Sequence, residues 1–398
     1  MSLRLLPWAP EYGSGLQAEP DPASAGPAPE VDAAIEGPWT PRSPRAEPPA
    51  VVQIVDGVRR VEAHAIEDLA SGDSAFGLFG SYAVGAVRCE AGRAHIPGGE
   101  RELRVRRRYL QAGGSASADA GISADTGFST DTAISTDTAT DVGVRPGDLA
   151  DREVRAGNTV LRFRAERAAR AGVPNDLVAA LNRLMLDEEA RLAEELSEDA
   201  TALTIVDGPL RLRAPGPRVV GYIKRTYRWY LGPTELALLE RLAVGQRTPL
   251  FHISEGSSEV VRIPRERLAW YLRIADLGRQ FHHLAGVVRL EVPGGLPVAA
   301  AAVLADQTAL ALPRLASSPV RDPRAPQNLT PVGALEDVLT RRLGDRRWIR
   351  RQIGAAMHRA VGEAGDGEGI EDIEDGDGSE HGQPLGAAAG AATGGARW

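Results

Sequence analysis

Three pairs of residues in this chain have the types and spacing to do chemistry together: Asp56-Gly57, Asp207-Gly208 and Glu188-Glu189. Each Asp-Gly follows a short run rich in β-branched residues, Gln53-Ile54-Val55 in one case and Thr204-Ile205-Val206 in the other, the composition of a buried strand. A strand that closes on Asp-Gly delivers a carboxylate to the end of a sheet, where the glycine permits a sharp turn. One copy reads as an ordinary turn, whereas two matched copies suggest a shared divalent-cation site. Carboxylate oxygens without Cys or clustered His select the hard ions Mn²⁺ or Mg²⁺ over zinc. Packed together without such an ion, carboxylates repel one another and their pKa values rise.

A third acid must come from whatever element packs on these strands. Residues 175–197 have helical periodicity, open on the good N-cap residues Asn175 and Asp176, and present Leu181, Leu184, Met185, Leu192 and Leu196 as an apolar stripe. At about 100° per residue Glu188 falls within that stripe and Glu189 at its margin. A carboxylate on a buried face is costly unless paired or bound to a cation. The spacing leaves open which of the two turns inward, and pairing with Arg183 or Arg191 is the structural alternative.

The elements that must hold these residues follow from the pattern around them. Residues 51–56, 58–66 and 77–89 read as three strands joined by short turns, hence antiparallel neighbours, and residues 202–206 as a fourth strand after the helix. Three antiparallel strands, a helix and further strands make an α/β chain with a mixed sheet. This is the opening of a ribonuclease H-like core, on which acids from the first strand, the helix and the fourth strand converge.

Around that core the composition changes. Residues 1–50, rich in Pro, Ala and Glu, read largely as linker, with Trp8, Tyr12 and Trp39 able to dock locally. Residues 112–142 hold four tandem hexapeptides that begin at Ser117, Ser123, Ser129 and Ser135, too poor in apolar surface to stack as a solenoid; they read as a low-complexity insertion. Residues 363–398, acidic and Gly-rich, read as a disordered tail, leaving residues 51–362 as the folded domain with helical additions. The net charge is −8, but fourteen acidic residues lie in the insertion and at 363–380, so the remainder carries about +6, which suits a nucleic-acid partner. A single cysteine, Cys89, excludes an internal disulfide framework and points to a reducing cytoplasm. No segment reads as a signal peptide, and the apolar stretch near residues 298–305 is too short to span a bilayer, so no membrane partner is expected.

One lysine, Lys224, stands among 46 basic residues, just past the strand that follows the second Asp-Gly. An ammonium contacts a phosphate as a compact point charge, which a planar guanidinium does not replace. After it, Arg225, Tyr227, Arg228, Trp229 and Tyr230 interleave basic and aromatic residues, as in surfaces that stack bases and hold phosphates of a single strand. The alternative is a strand with one face in the core.

These motifs in this order resemble the NurA nucleases of DNA double-strand-break repair. The resemblance rests on Ile54-Val55-Asp56-Gly57, on the acidic helix leading into Ile205-Val206-Asp207-Gly208-Pro209-Leu210, and on Val220-Gly221-Tyr222-Ile223-Lys224-Arg225. It continues through Trp270-Tyr271-Leu272-Arg273, Val288-Arg289-Leu290-Glu291 and Arg324-Ala325-Pro326-Gln327-Asn328-Leu329. It implies a ribonuclease H-like core and a manganese-dependent nuclease acting on single strands and 5′ ends. It also implies partnership with the hexameric HerA ATPase. Asp56, Asp207 and Glu188 or Glu189 would then hold two ions that orient a water for attack on a phosphodiester, with Lys224, Arg225 and Arg228 along the DNA. The family pattern closes on a histidine that this chain lacks between Pro313 and Arg347, where Asn328 or Glu336 are the candidates to fill the place. That gap leaves a second reading, a catalytically weakened relative that binds DNA or the ATPase without cutting. Homodimerisation is left open.

Overall fold

Why the first Asp-Gly does not turn is the key to this fold. The computed structural model describes residues 29–68, 74–113, 144–146, 149–156, 159–168, 174–212, 216–224, 230–254, 266–279, 281–320, 322 and 324–365. Within them Asp56 and Gly57 lie inside one continuous strand, so the two strands expected at 51–56 and 58–66 are a single element. Gly57 pairs with Val84 in unbroken register, and the ladder slips only between Val61 and Ala63. β-branched Val55 and Val58 on either side keep the backbone extended.

In chain order the strands are β1 (Glu30–Asp32), β2 (Val51–Asp68), β3 (Ser74–Glu90), β4 (Arg93–His95), β5 (Arg104–Ala112), β6 (Val144–Pro146), β7 (Arg152–Ala156) and β8 (Thr159–Ala168). Helix α1 (Pro174–Leu196) precedes β9 (Ala202–Asp207) and β10 (Val219–Ile223). Then come α2 (Pro233–Arg241), β11 (Phe251–Ser254), β12 (Glu266–Arg273), β13 (Val287–Pro293), α3 (Val298–Leu315), α4 (Thr330–Leu343) and α5 (Arg346–Gly365). The sheet runs β1-β11-β12-β13-β10-β9-β2-β3-β5-β8-β6, with β4 on β3 and β7 on β8. β3 is antiparallel to both β2 and β5, while β9 is parallel to β2 and β10 to β9. The third antiparallel strand is thus β5, an arginine-rich segment whose alternation is masked by Arg104, Arg106, Arg107 and Arg108.

Helices cover both faces. α1 packs with Val55, Leu78, Tyr82, Val84 and Val206 in one core, and α3 and α4 pack with Ile54, Ile205, Val220, Tyr222 and Trp270 in another. Alternation along each strand assigns these sets to opposite faces. α3 meets the length and composition of a membrane-crossing helix, yet Leu304, Ala305, Ala309 and Leu312 are buried in the second core and Asp306 is ion-paired to Arg247.

Residues 29–50, expected as linker, add an edge strand instead: β1 pairs antiparallel with β11. Trp39 donates to the Glu235 carbonyl at 3.0 Å and lies edge-on to Phe251, and Glu36 pairs with Arg247. Trp8, Tyr12 and the four hexapeptides lie outside the described residues. Residues 1–356 form one compact unit and 357–398 a second, of which the end of α5 is described.

Candidate functional site

The register of three parallel strands sets the first two acids side by side. Val55 pairs with Val206, so Asp56 and Asp207 occupy adjacent positions on β2 and β9, about 4.8 Å apart between strands. Asp207 pairs with Tyr222 on β10, and Lys224 follows two residues later on the same face. β9 ends at Asp207, where Gly208 takes φ 101° and its N–H bonds the Tyr222 carbonyl at 2.8 Å. Here glycine serves the turn that the sequence suggests.

At β2 glycine serves a different purpose. A Cβ on Gly57 would strike the Glu189 Oε1 atom and come within 3.1 Å of Met185 Cγ. α1 therefore lies close on β2 and β3, with Leu181 seated on Gly80 in the same manner. The inward row is the i, i+4 series Leu177, Leu181, Met185, Glu189 and Ala193, all buried. That row resolves the two glutamates. Glu189 lies against Gly57, within electrostatic reach of Asp56 and Asp207, whereas Glu188, also buried, is held by Arg191 at 2.9 Å, Arg106 at 3.3 Å and Arg104 at 3.6 Å. Of the alternatives left open for Glu188, the structure shows the arginine pairing: its neighbours are three guanidinium groups, Arg191 among them.

The opposite wall comes from α4 and the loop before it. The Lys224 ammonium contacts Asp207 Oδ2 and donates to Asn328 Oδ1 at 3.0 Å. Asn328, fully buried, donates onward to Asp322 Oδ2 at 2.8 Å and Glu336 Oε2 at 3.3 Å. Arg324 grips Glu336 with both terminal nitrogens, one at 2.7 Å from Oε1. Tyr222 fixes the loop through its hydroxyl, which donates to the Gln327 carbonyl at 2.8 Å. Asn328 and Glu336, read from sequence only as stand-ins for an absent histidine, are both in the cluster. Arg324, which lies in a stretch that carries the family resemblance without an assigned role, and Asp322, which nothing in the local spacing marks, complete it.

Electrostatics at this spot favour added positive charge. Burial first, then the Asp207, Glu336 and Glu189 charges, push Asp56 well above the usual aspartate range, against the opposing pull of Lys224. Burial and Asp207 push Glu189 up to about 8. Burial would lower Lys224, but Asp207, Asp56 and Glu336 outweigh it and hold the ammonium charged. Asp56 is 5 % exposed and its Oδ2 finds no hydrogen-bond partner among the described residues. A buried acceptor left in that state costs about 1–3 kcal/mol. Among the described residues no three acids already stand at metal-ligating spacing.

Residues 140–332 match the family model of the NurA domain. This NurA domain match supports a NurA-family member. None of the curated proteins compared with it matches. The matched span carries Glu189, Asp207, Lys224 and Asn328, while Asp56 and Glu336 lie outside it and reach the NurA site through the β2–β9 pairing and α4. The match supports a nuclease-type role in DNA processing. Arg225 and Arg228 lie outside the described residues.

Proposed function

We propose that this NurA-family chain is a divalent-metal-dependent DNA nuclease built on a ribonuclease H-like core. The observation that carries the reading is the under-compensated group of buried Asp56 and Glu189 with part-exposed Asp207, with Asp56 Oδ2 unsatisfied among the described residues. What supports the fold assignment is strand order β5-β3-β2-β9-β10, with antiparallel pairing up to β2 and parallel pairing beyond it. In that arrangement acids from the first strand, the helix and the fourth strand converge, and Asp56, Glu189 and Asp207 take those three positions within electrostatic reach of one another.

The donor set suits Mn²⁺ or Mg²⁺: carboxylate and amide oxygens, with no sulfur or clustered imidazole. Asp56 and Asp207 would hold the metal, Glu189 from α1 and Glu336 from α4 completing the shell. When bound, such ions supply a water activated for in-line attack and counter-charge for the departing oxygen. The chain's own residues set the rest. Lys224, anchored by Asn328, presents its charge beside Asp207, where a substrate phosphate would sit. Arg324 keeps Glu336 ionised by outweighing the opposing effect of burial, together with Lys224 and Asn328. Tyr222, through Gln327, ties the 324–329 loop to β10.

The further attributes proposed with this reading are action on single strands and 5′ ends in DNA break repair, a hexameric HerA-type ATPase as partner, and a cytoplasmic location. A second reading has its own observation. Lys224 already neutralises Asp207 and Arg324 already neutralises Glu336, which fits a DNA-binding relative with weakened cleavage. A cleavage assay on 5′-labelled single-stranded DNA in Mn²⁺, Mg²⁺ or EDTA separates them. Metal-dependent product that disappears in Asp56→Asn supports the nuclease; DNA binding without product in any metal supports the second reading.

A further inference from the structure

The geometry points to a binding surface for a nucleic-acid backbone at the corner between α4 and α5, formed by Arg341, Arg342, Arg346, Arg347, Arg350 and Arg351. All six side chains are exposed. Several arginines elsewhere on the surface are tied to carboxylates, as Arg88 is to Glu90 and Asp199, Arg104 to Glu195, and Arg162 to Glu153. Those without such a partner among the described residues, Arg93, Arg101, Arg155 and Arg241 among them, are scattered along the sequence and do not form a run. Among the described residues these six have no such partner. Between residues 337 and 351 the only acids are Asp337 and Asp345, and Asp345 is engaged as a helix cap, accepting from the Trp348 N–H at 2.6 Å.

Packing fixes which way the charges face. Trp348, Ile349 and Ile353 turn α5 toward Phe79, Tyr109 and Phe163. At 100° per residue Arg346, Arg347, Arg350 and Arg351 fall within about 140° of arc on the other side. The carbonyls that end α4 do not need these arginines, because Arg60 and Arg107 already donate to Leu343 and Gly344 from below. Positive potential extends onto β2, where burial and the Arg350 charge both disfavour protonation of His64.

The partner follows from where this surface begins. α4 carries Glu336 at the acidic cluster, and Arg342 lies six residues further along the same helix, about 9 Å at 1.5 Å per residue. A strand with one phosphate at the cluster would bring its next phosphates to this corner. Regularly spaced phosphates match an unpaired row of guanidinium groups, whose contacts release counterions. This inference rests on the nuclease reading for the direction of the strand and not for the surface itself.

The test is binding of a fluorescein-labelled 25-nucleotide single strand by the full chain in EDTA across a salt series. Compared with wild type are a fourfold variant, Arg346→Gln, Arg347→Gln, Arg350→Gln and Arg351→Gln, and a charge-matched control, Arg93→Gln, Arg101→Gln, Arg155→Gln and Arg241→Gln. The corner variant should bind at least tenfold more weakly, with the slope of log K against log salt reduced by roughly 0.7 for each phosphate that is no longer neutralised, while the control stays near wild type. Equal weakening in both variants, or none in the corner variant with its melting temperature retained, overturns the assignment. Cleavage in Mn²⁺ is read in parallel. Weakened binding at the corner in a chain that never cleaves keeps the surface and removes the nuclease reading; cleavage with unchanged binding does the reverse.

Discussion

Two buried groups of charged residues in this chain obey opposite rules. Arg247 is buried between Glu36 and Asp306, with pairs at 2.8 and 2.9 Å. There, burial alone would raise Glu36, but bonds from Arg247 and the Leu250 N–H hold it below the usual glutamate range. At the other group Asp56 and Glu189 are as deeply buried and are pushed upward, Glu189 to about 8. The difference is stoichiometry: Glu36 and Asp306 face two guanidinium groups, Arg247 and the more distant Arg42, while Asp56, Glu189 and Asp207 have the Lys224 ammonium as their main counter-charge, with Arg211 acting on Glu189. The first group serves the fold, and the second has the imbalance that a bound cation and a phosphate would correct.

The largest expected contrast is between removing an acid from one group and the base from the other. Asp56→Asn should cost cleavage at least about a thousandfold, ~4 kcal/mol of barrier, while the melting temperature of the metal-free protein holds or rises. Unchanged turnover in a folded variant breaks the comparison. Arg247→Ala should do the opposite, lowering stability by about 3 kcal/mol because it strands two buried carboxylates; chemical denaturation reads it.

The pH dependence comes next, and the two groups give opposite slopes. Glu189 and Asp56 hold their protons longer folded than unfolded, so stability falls as pH rises from about 4.5 to 8, the window set by Glu189. Glu36 is depressed, so its contribution is present above 4.5 and lost as pH falls further. Metal-free Glu189→Gln should therefore show a flatter stability curve between pH 5 and 8 than wild type, and Mn²⁺ should raise the melting temperature more at pH 8 than at 5.5. Identical curves for variant and wild type would show that Glu189 titrates normally.

Gly57→Ala is smaller and sharper. Its added methyl meets Glu189 Oε1 and Met185, so stability should drop by about 1–3 kcal/mol and cleavage should fall because Glu189 is displaced from Asp56. Glu188→Gln is the smallest, below about 1 kcal/mol with cleavage retained, since it loosens pairs with arginines that reach solvent, Arg191 at 64 % side-chain exposure. Abolished cleavage there would restore Glu188 to the site.

What can be read from the sequence depends on range. Val55-Asp56 and Val206-Asp207 are readable because a run of β-branched residues is a local property. That Asp56-Gly57 continues its strand is not, since the glycine answers to α1, some 130 residues away in sequence. Glu188 and Glu189 differ by 100° about one helix, and an averaged stripe that includes the half-buried Leu184, Leu192 and Leu196 points between them; the row from Leu177 to Ala193 is the finer signal. β5 is hidden by arginines whose partners, Glu166 and the end of α4, lie on other elements. Residues 29–50 look like linker by composition, although Glu36 and Trp39 carry tertiary contacts.

Lys224, the sole lysine of the chain, is wedged between Asp207 and Asn328. Amine-directed acylation of this protein therefore has one side-chain target, and that target is inside the cluster. Its reaction rate, followed by intact mass against the α-amino group as an internal clock, becomes a label-free gauge of occupancy: an ion drawing Asp207 away would loosen the ammonium and quicken acylation, and a phosphate docked on it would shield it.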